Sequence, residues 1–127
     1  MRGKLLIIDD DEQILDLLGR IFEASYEVFT ATDGRGGLEL LKTEKPFLVF
    51  LDINLPGLSG MEVLVKIKEL GVSTAVWMLS AEEDIGGAMS AMDKGASGYL
   101  TKPFLIDTIS EIASDAFQNQ GEKSAVP

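Results

Sequence analysis

The sequence contains no histidine and no cysteine. Without histidine, the chain cannot form a Ser-His-Asp or Cys-His catalytic site, and it cannot donate a phosphoryl group from an imidazole of its own. Without cysteine, it has no disulfides, no thiol nucleophile and no thiolate metal site, which suits a protein of the reducing cytoplasm. The two absences together exclude several common kinds of catalytic and metal site.

Basic residues are scarce as well. The 127 residues include 11 Lys and Arg against 21 Asp and Glu, a formal charge of −10, and the basic residues do not cluster. The domain is therefore not expected to bind nucleic acid or an anionic membrane directly. No apolar run is long enough to span a membrane, and the four apolar residues after Lys4 are too few for a signal peptide. We expect a soluble, cytoplasmic protein.

Apolar segments alternate with amphipathic ones along the whole chain, and 46% hydrophobic residues support a single folded domain. The predicted strands are Leu5–Ile8, Tyr26–Ala31, Phe47–Leu51, Thr74–Leu79 and Gly98–Thr101. A first amphipathic helix is predicted from the helical spacing of Ile14, Leu17, Leu18, Ile21 and Phe22. The other predicted helices are Asp33–Lys42, Met61–Leu70, Glu82–Lys94 and a last one that ends near Phe117. This alternation predicts an α/β fold, a doubly wound five-stranded parallel sheet with five helices on its two faces. The domain should span residues 1–118, with 119–127 a disordered tail or a linker.

The helix after Ser80 has an unusual composition. Gly86 and Gly87 are adjacent in it, and each costs about 1 kcal/mol relative to alanine in a helix interior. We expect Met89 and Met92 to pack against the sheet and to offset this cost, because methionine packs adaptably. The first turns of this helix should open more easily than the rest of the domain.

Polar residues stand where four of the strands end. Asp9 and Asp10 follow the first strand, Asp52 the third, Ser80 the fourth and Lys102 the fifth. In a doubly wound sheet these ends can converge on one crevice. Two carboxylates ~4 Å apart repel by roughly 4 kcal/mol at an effective dielectric of ~20, so the cluster needs raised pKa values or a bound cation. Oxygen ligands suit Mg²⁺, and a carboxylate beside an ammonium and a hydroxyl is equipped to accept a phosphoryl group.

These residues lie in a series of short motifs. They are Ile8-Asp9-Asp10, Leu51-Asp52-Ile53-Asn54-Leu55-Pro56 with Gly60, Leu79-Ser80-Ala81, and Gly95-Ala96 followed by Tyr99-Leu100-Thr101-Lys102-Pro103-Phe104. In their order and intervals the chain resembles the receiver domains of two-component response regulators, from Lys4 to about Phe117. The resemblance implies a flavodoxin-like fold with strand order 2-1-3-4-5.

The resemblance also implies a role for each residue. Asp52 matches the phosphoacceptor, which receives a phosphoryl group from a sensor histidine kinase or a histidine phosphotransfer protein. The implied Mg²⁺ ligands are Asp10, Asp52 and the carbonyl of Asn54, with Asp9 acting through water. Lys102, before a proline whose peptide bond is usually cis, matches the lysine that pairs with the phosphoryl oxygens. Ser80 matches the hydroxyl that closes on the phosphoryl group, and Tyr99 the aromatic residue that changes rotamer with it.

Three aspartates stand in a row where the family has two, which leaves a choice of register. Pairing Asp9 with Asp10 places Ile14 at the first apolar helix position of the family, whereas pairing Asp10 with Asp11 does not. We therefore assign the acidic pair to Asp9 and Asp10. Asp11 is then expected to cap the following helix.

Two other functions are open to a chain of this kind. A phosphohydrolase with an aspartate nucleophile needs a carboxylate two residues after it, where this chain has Asn54. A pseudo-receiver that serves only for docking typically lacks some of the acidic or lysine positions, and this chain has them all. We favour a phospho-accepting receiver that promotes only its own phosphorylation and dephosphorylation. Its signal would pass to a downstream protein target or a fused output domain.

Overall fold

The computed structural model describes residues 2–81 and 85–125. Five strands and five helices alternate along the chain. The strands are β1 Lys4–Ile8, β2 Glu27–Ala31, β3 Leu48–Asp52, β4 Ala75–Ala81 and β5 Gly98–Lys102. The helices are α1 Glu12–Phe22, α2 Gly34–Glu44, α3 Gly60–Glu69, α4 Ile85–Asp93 and α5 Ile106–Ala125. The alternation predicted from the sequence is confirmed, and the expected helix start at Glu82 lies outside the described residues.

All the strand pairs are parallel, and the strand order is β2-β1-β3-β4-β5. This confirms the doubly wound topology. Every residue of β3 is buried, because this central strand has a neighbouring strand on each side and helices over both faces. Two apolar cores cover the sheet: residues of α2, α3 and α4 pack on one face, and residues of α1 and α5 on the other.

Local sequence explains where several helices begin and end. Asp11 caps α1 by accepting a hydrogen bond from the N–H of Gln13 at 2.9 Å, as expected. Ser59 and Glu62 form a capping box at the start of α3. Gly71 and Gly95 adopt positive φ angles of 67° and 102° directly after α3 and near the end of α4, which glycine does without strain.

Helix α4 differs from its prediction in the face that it buries. Ala88 and Ala91 are fully buried against the sheet, whereas Met89 and Met92 are 61% and 41% exposed. The expectation that the two methionines pack against the sheet is wrong. The small alanines, three residues apart, form the buried face of the helix, so the long methionine side chains lie on the outer side.

Helix α5 continues past the predicted end at Phe117 to Ala125. By residue type, several residues of this extension, among them Gln118, Glu122 and Lys123, have a good helix propensity. Phe117 itself packs edge-on against Phe47 and Tyr26, with ring centroids 5.2 and 5.9 Å away. The domain boundary at residue 118 and the role of residues 119–127 stay predictions. In the described part of the chain, no helix is both long and apolar enough to cross a membrane.

The left-handed backbone conformation of Lys45 predicts how a substitution there changes stability. Lys45 follows α2 with φ 51° and ψ 62°, the left-handed conformation that costs a non-glycine residue about 1–2 kcal/mol. We expect Lys45→Gly to raise the free energy of unfolding by about 0.5–1 kcal/mol, since relief of strain exceeds the added freedom of the unfolded chain. The measurement is urea unfolding followed by circular dichroism.

The control is Glu39→Gly, at an exposed position inside the same helix. This variant should lose about 1 kcal/mol. Equal losses in the two variants would contradict the left-handed conformation at residue 45.

Candidate functional site

The predicted polar residues meet at the carboxyl end of the sheet. Asp52 is the last residue of β3, Lys102 is the last residue of β5, and Ser80 is the penultimate residue of β4. Asp9 and Asp10 directly follow β1, which pairs with β3. The parallel arrangement brings all these strand ends to one edge of the sheet, which is where open α/β sheets form their sites.

Asp9 is completely buried, and its backbone and side chain are both held in place. Its N–H donates to the carbonyl of Ala31 at 3.1 Å. Its Oδ1 accepts the N–H of Asp11 at 2.9 Å, and its Oδ2 lies 2.8 Å from the ammonium of Lys102. A buried carboxylate is tolerated here because it has a charged partner and backbone hydrogen bonds.

Asp52 is 6% exposed and has weaker partners than Asp9. Its Oδ1 accepts the N–H of Asn54 at 3.1 Å, and its Oδ2 lies 3.6 Å from the ammonium of Lys102. Lys102 therefore stands between two buried carboxylates and is closer to Asp9. The following Lys102–Pro103 peptide bond is cis, as the resemblance implies.

The carboxylates of Asp9, Asp10 and Asp52 form a group that could hold a metal ion. One oxygen from each lies within 4.8 Å of the others, and Asp10 is exposed while the other two are buried. An all-oxygen donor set with one side open to water fits Mg²⁺, which usually retains several waters. Asp11 is engaged as the cap of α1, so the structure groups Asp9 with Asp10, in the register assigned from the sequence.

Burial and neighbouring charges shift the pKa values in this cluster. Burial, together with the charges of Asp9 and Asp10, raises the pKa of Asp52 from 3.8 to about 6, although Lys102 and the hydrogen bond from Asn54 act in the opposite direction. Burial by itself would lower the pKa of Lys102. The hydrogen bond to Asp9 and the charges of both aspartates exceed that effect, and the pKa of Lys102 is raised.

Ser80 and Tyr99 differ in how they relate to the carboxylates. Ser80 is fully buried, and its hydroxyl has no hydrogen-bond partner among the described residues. An unpaired buried hydroxyl is unfavourable unless a further group joins it. Tyr99 is 36% exposed and pairs in the sheet with Met78, two positions before the Ser80–Thr101 pair. No hydrogen bond joins Tyr99 to the carboxylates within the described ranges.

The direct contact of Lys102 with Asp9 could not be predicted from the sequence. The two residues are 93 positions apart, and no local pattern distinguishes Asp9 from Asp52 as the nearer partner of the lysine. The resemblance assigned Lys102 only to the phosphoryl oxygens. In the structure, its ammonium lies closest to Asp9, the carboxylate that is most deeply buried.

The raised pKa of Asp52 predicts how stability depends on pH. The folded protein binds the Asp52 proton more tightly than the unfolded chain, so stability falls as pH rises from about 4 to about 6. In chelator at pH 7.5, Asp52→Asn should therefore raise the free energy of unfolding, by on the order of 1–3 kcal/mol, and the gain should vanish below about pH 4.

Thermal melts across this pH range measure the effect, with Asp115→Asn on the exposed face of α5 as the control. An Asp52→Asn variant that is no more stable than the wild type at pH 7.5 would contradict the burial and charge argument.

We expect Asp9→Asn to lower the stability of the folded protein, in contrast to Asp52→Asn. Asp9→Asn removes the carboxylate closest to Lys102 and leaves the half-buried ammonium facing an amide. Breaking a buried ion pair from one side is destabilising, and we expect a loss of roughly 2–4 kcal/mol in the same melts at pH 7.5. A gain in stability like that of Asp52→Asn would show that Lys102 pairs mainly with Asp52.

The chain is similar to known proteins in sequence and in fold. It matches the family model of the response regulator receiver domain over residues 5–114. It is 39% identical, over 82% of its length, to the alkaline phosphatase synthesis transcriptional regulatory protein PhoP of Bacillus subtilis, and covers 44% of that protein. It is 34% identical, over 86% of its length, to sporulation initiation phosphotransferase F of the same organism, and covers 89% of it.

A solved receiver-domain structure is also similar to this chain. A response regulator receiver domain protein from Clostridium thermocellum superposes with a TM-score of 0.88 at 32% identity, over 94% of this chain and 97% of that one. The chain spans about half the length of several curated relatives that it matches, including PhoP. From its sequence, its strand order and the family match over residues 5–114, this chain belongs to the response regulator receiver domain family.

Proposed function

We propose that this domain accepts a phosphoryl group on Asp52 and changes its surface in response. The observation that carries the proposal is the placement of Asp52 at the end of the central strand, beside the ammonium of Lys102 and the carboxylates of Asp9 and Asp10. The unpaired hydroxyl of Ser80 at the neighbouring strand end supports it. Receiver domains generally act as signalling modules and not as enzymes, and we infer that this one promotes only its own phosphorylation and dephosphorylation.

Magnesium is the cofactor that we propose for this site. Asp10, Asp52 and the carbonyl of Asn54 are the proposed direct ligands, and Asp9 the partner through water. A bound Mg²⁺ supplies positive charge that offsets the carboxylates and the oxygens of an incoming phosphoryl group. The exposed side of the cluster, at Asp10, leaves room for water and for the phosphoryl group.

The phosphoryl transfer itself is a displacement at phosphorus. An oxygen of the Asp52 carboxylate forms a bond to phosphorus, and the bond from phosphorus to the donor atom breaks. From acetyl phosphate, acetate leaves with the electron pair; from a phosphohistidine, an imidazole nitrogen does. The product is an acyl phosphate on Asp52, with about −2 charge where the carboxylate had −1.

Lys102 and Ser80 are the proposed partners of the new phosphoryl oxygens. The ammonium of Lys102 is already 3.6 Å from Asp52, so a small movement away from Asp9 brings it to the phosphoryl group. The hydroxyl of Ser80 gains the hydrogen bond that it lacks. Tyr99, partly exposed on β5, is the proposed element that changes rotamer and transmits this rearrangement to the surface.

The proposed phosphoryl donor is a sensor histidine kinase or a histidine phosphotransfer protein, since this chain has no histidine of its own. The output is a downstream protein or a fused domain, as the name of the relative PhoP, a transcriptional regulatory protein, suggests. With a formal charge of −10, this domain itself is not the part that we expect to bind DNA. We propose that it acts in the cytoplasm.

Intact mass spectrometry tests the proposal. With acetyl phosphate and Mg²⁺, the wild type should gain one phosphoryl group, and both Asp52→Asn and the addition of chelator should abolish the gain. Asp115→Asn should be labelled like the wild type. Undiminished labelling of Asp52→Asn at another residue would refute the assignment, and no labelling or Mg²⁺ binding by the wild type would favour a docking-only pseudo-receiver.

A further inference from the structure

Gly60, the first residue of α3, lies directly on the backbone of the central strand's end. Its N–H donates to the carbonyl of Ile53 at 2.8 Å. A Cβ at this position would lie 2.7 Å from the Cα of Ile53 and 2.9 Å from the carbonyl carbon of Asp52, and it would overlap the Asp52 carbonyl oxygen. Ordinary contacts of a Cβ begin near 3.4 Å, so no side chain fits between α3 and this peptide.

We propose that Gly60 is a positioning residue for the phosphoacceptor. Its lack of a side chain lets the start of α3 rest on the Asp52–Ile53 peptide and thereby fixes the Asp52 carboxylate beside Lys102. This inference rests on the proposed function of Asp52. Gly60 touches neither a donor nor a phosphoryl group, so its effect passes entirely through the backbone of Asp52.

The surroundings of Gly60 explain why a methyl group there would disturb Asp52. Helix α3 is held by its capping box and by three buried residues, Val63, Leu64 and Ile67. On the other side, Ile53 donates its N–H to the carbonyl of Leu79 at 3.0 Å. The backbone atoms of the Asp52–Ile53 peptide cannot turn aside as a flexible side chain can, so either the helix start or the strand end has to move.

This movement would displace the Asp52 carboxylate. The carboxylate lies 3.6 Å from Lys102, whereas Asp9 holds the same ammonium at 2.8 Å. A displacement of Asp52 by about 1 Å would leave Lys102 with Asp9 and misalign the attacking oxygen. Misplacement on this scale can cost about 100-fold in rate.

Gly98 provides a control at a remote position, where an added Cβ would crowd a side chain and not the backbone. A Cβ there would lie 2.6 Å from the ring of Trp77. Gly98 is the first residue of β5, at the opposite end of the strand from Lys102. Gly98→Ala therefore introduces a close contact in the core without touching the Asp52 peptide.

The experiment compares Gly60→Ala and Gly98→Ala with the wild type in acetyl phosphate labelling over a range of donor concentrations, normalised to the folded fraction from circular dichroism. For Gly60→Ala we expect the maximal labelling rate to fall by about 10- to 100-fold. The half-saturating donor concentration should stay within about two-fold, because Lys102 and Ser80 remain. Gly98→Ala should keep the maximal rate within about two-fold, even where it lowers the melting temperature.

A second readout is the rise in melting temperature on adding Mg²⁺. It should be smaller for Gly60→Ala than for Gly98→Ala, because a displaced Asp52 binds the ion less tightly. If Gly60→Ala is partly unfolded in buffer, the same measurements are made in sucrose, which favours the folded state.

Each outcome decides the matter. A maximal rate of folded Gly60→Ala within two-fold of the wild type would overturn the positioning role and leave the proposed function intact. A Gly60→Ala chain that stays unfolded even in sucrose would assign the residue to folding and overturn the role too. Absence of labelling in the wild type would overturn the proposed function, and this inference with it.

Discussion

The arrangement at the carboxyl edge of the sheet depends on one ammonium group placed between two buried carboxylates. Asp9 and Asp52 are almost inaccessible to water, and at ~4 Å such charges repel by roughly 4 kcal/mol at an effective dielectric of ~20. Lys102 offsets this repulsion more closely at Asp9, 2.8 Å away, than at Asp52, 3.6 Å away. Burial, together with the charges of Asp9 and Asp10, raises the pKa of Asp52 despite the opposing effect of Lys102. The charge of Asp9 is therefore more closely paired than the charge of Asp52.

The sheet topology makes this arrangement possible. The order β2-β1-β3-β4-β5 sets the ends of β1 and β3 side by side, so two acidic segments far apart in sequence meet without any direct local signal. Lys102 reaches them from β5, two strands away from β3, because a lysine side chain is long and flexible. Ser80 lies near the end of the intervening β4. The end of β1 contributes two aspartates and the ends of β3, β4 and β5 one residue each, and the fold brings them together.

The sequence predicted those features that depend on short-range patterns. The strands, the strand-end positions of Asp52 and Lys102 and the cap at Asp11 all follow from local rules, and the structure confirms them. Features that depend on three-dimensional packing could not be predicted this way. Periodicity did not show that Ala88 and Ala91 would be buried instead of the adjacent methionines, nor that α5 would extend to Ala125. The Lys102–Asp9 pair and the contact of Gly60 with the Asp52 peptide are likewise visible only in the folded chain.

The imbalance at Asp52 is what suits the site to signalling. A site in which every charge were fully paired would gain little from a cation or from a change of charge, and a ligand shifts an equilibrium only by its differential interaction with the two states. Here the ammonium of Lys102 lies farther from Asp52 than from Asp9, and the Ser80 hydroxyl has no hydrogen-bond partner among the described residues. A phosphoryl group on Asp52 would attract the ammonium of Lys102 away from Asp9. It would also accept a hydrogen bond from the Ser80 hydroxyl. The energy for a surface change would therefore come from interactions that the unmodified fold leaves incomplete.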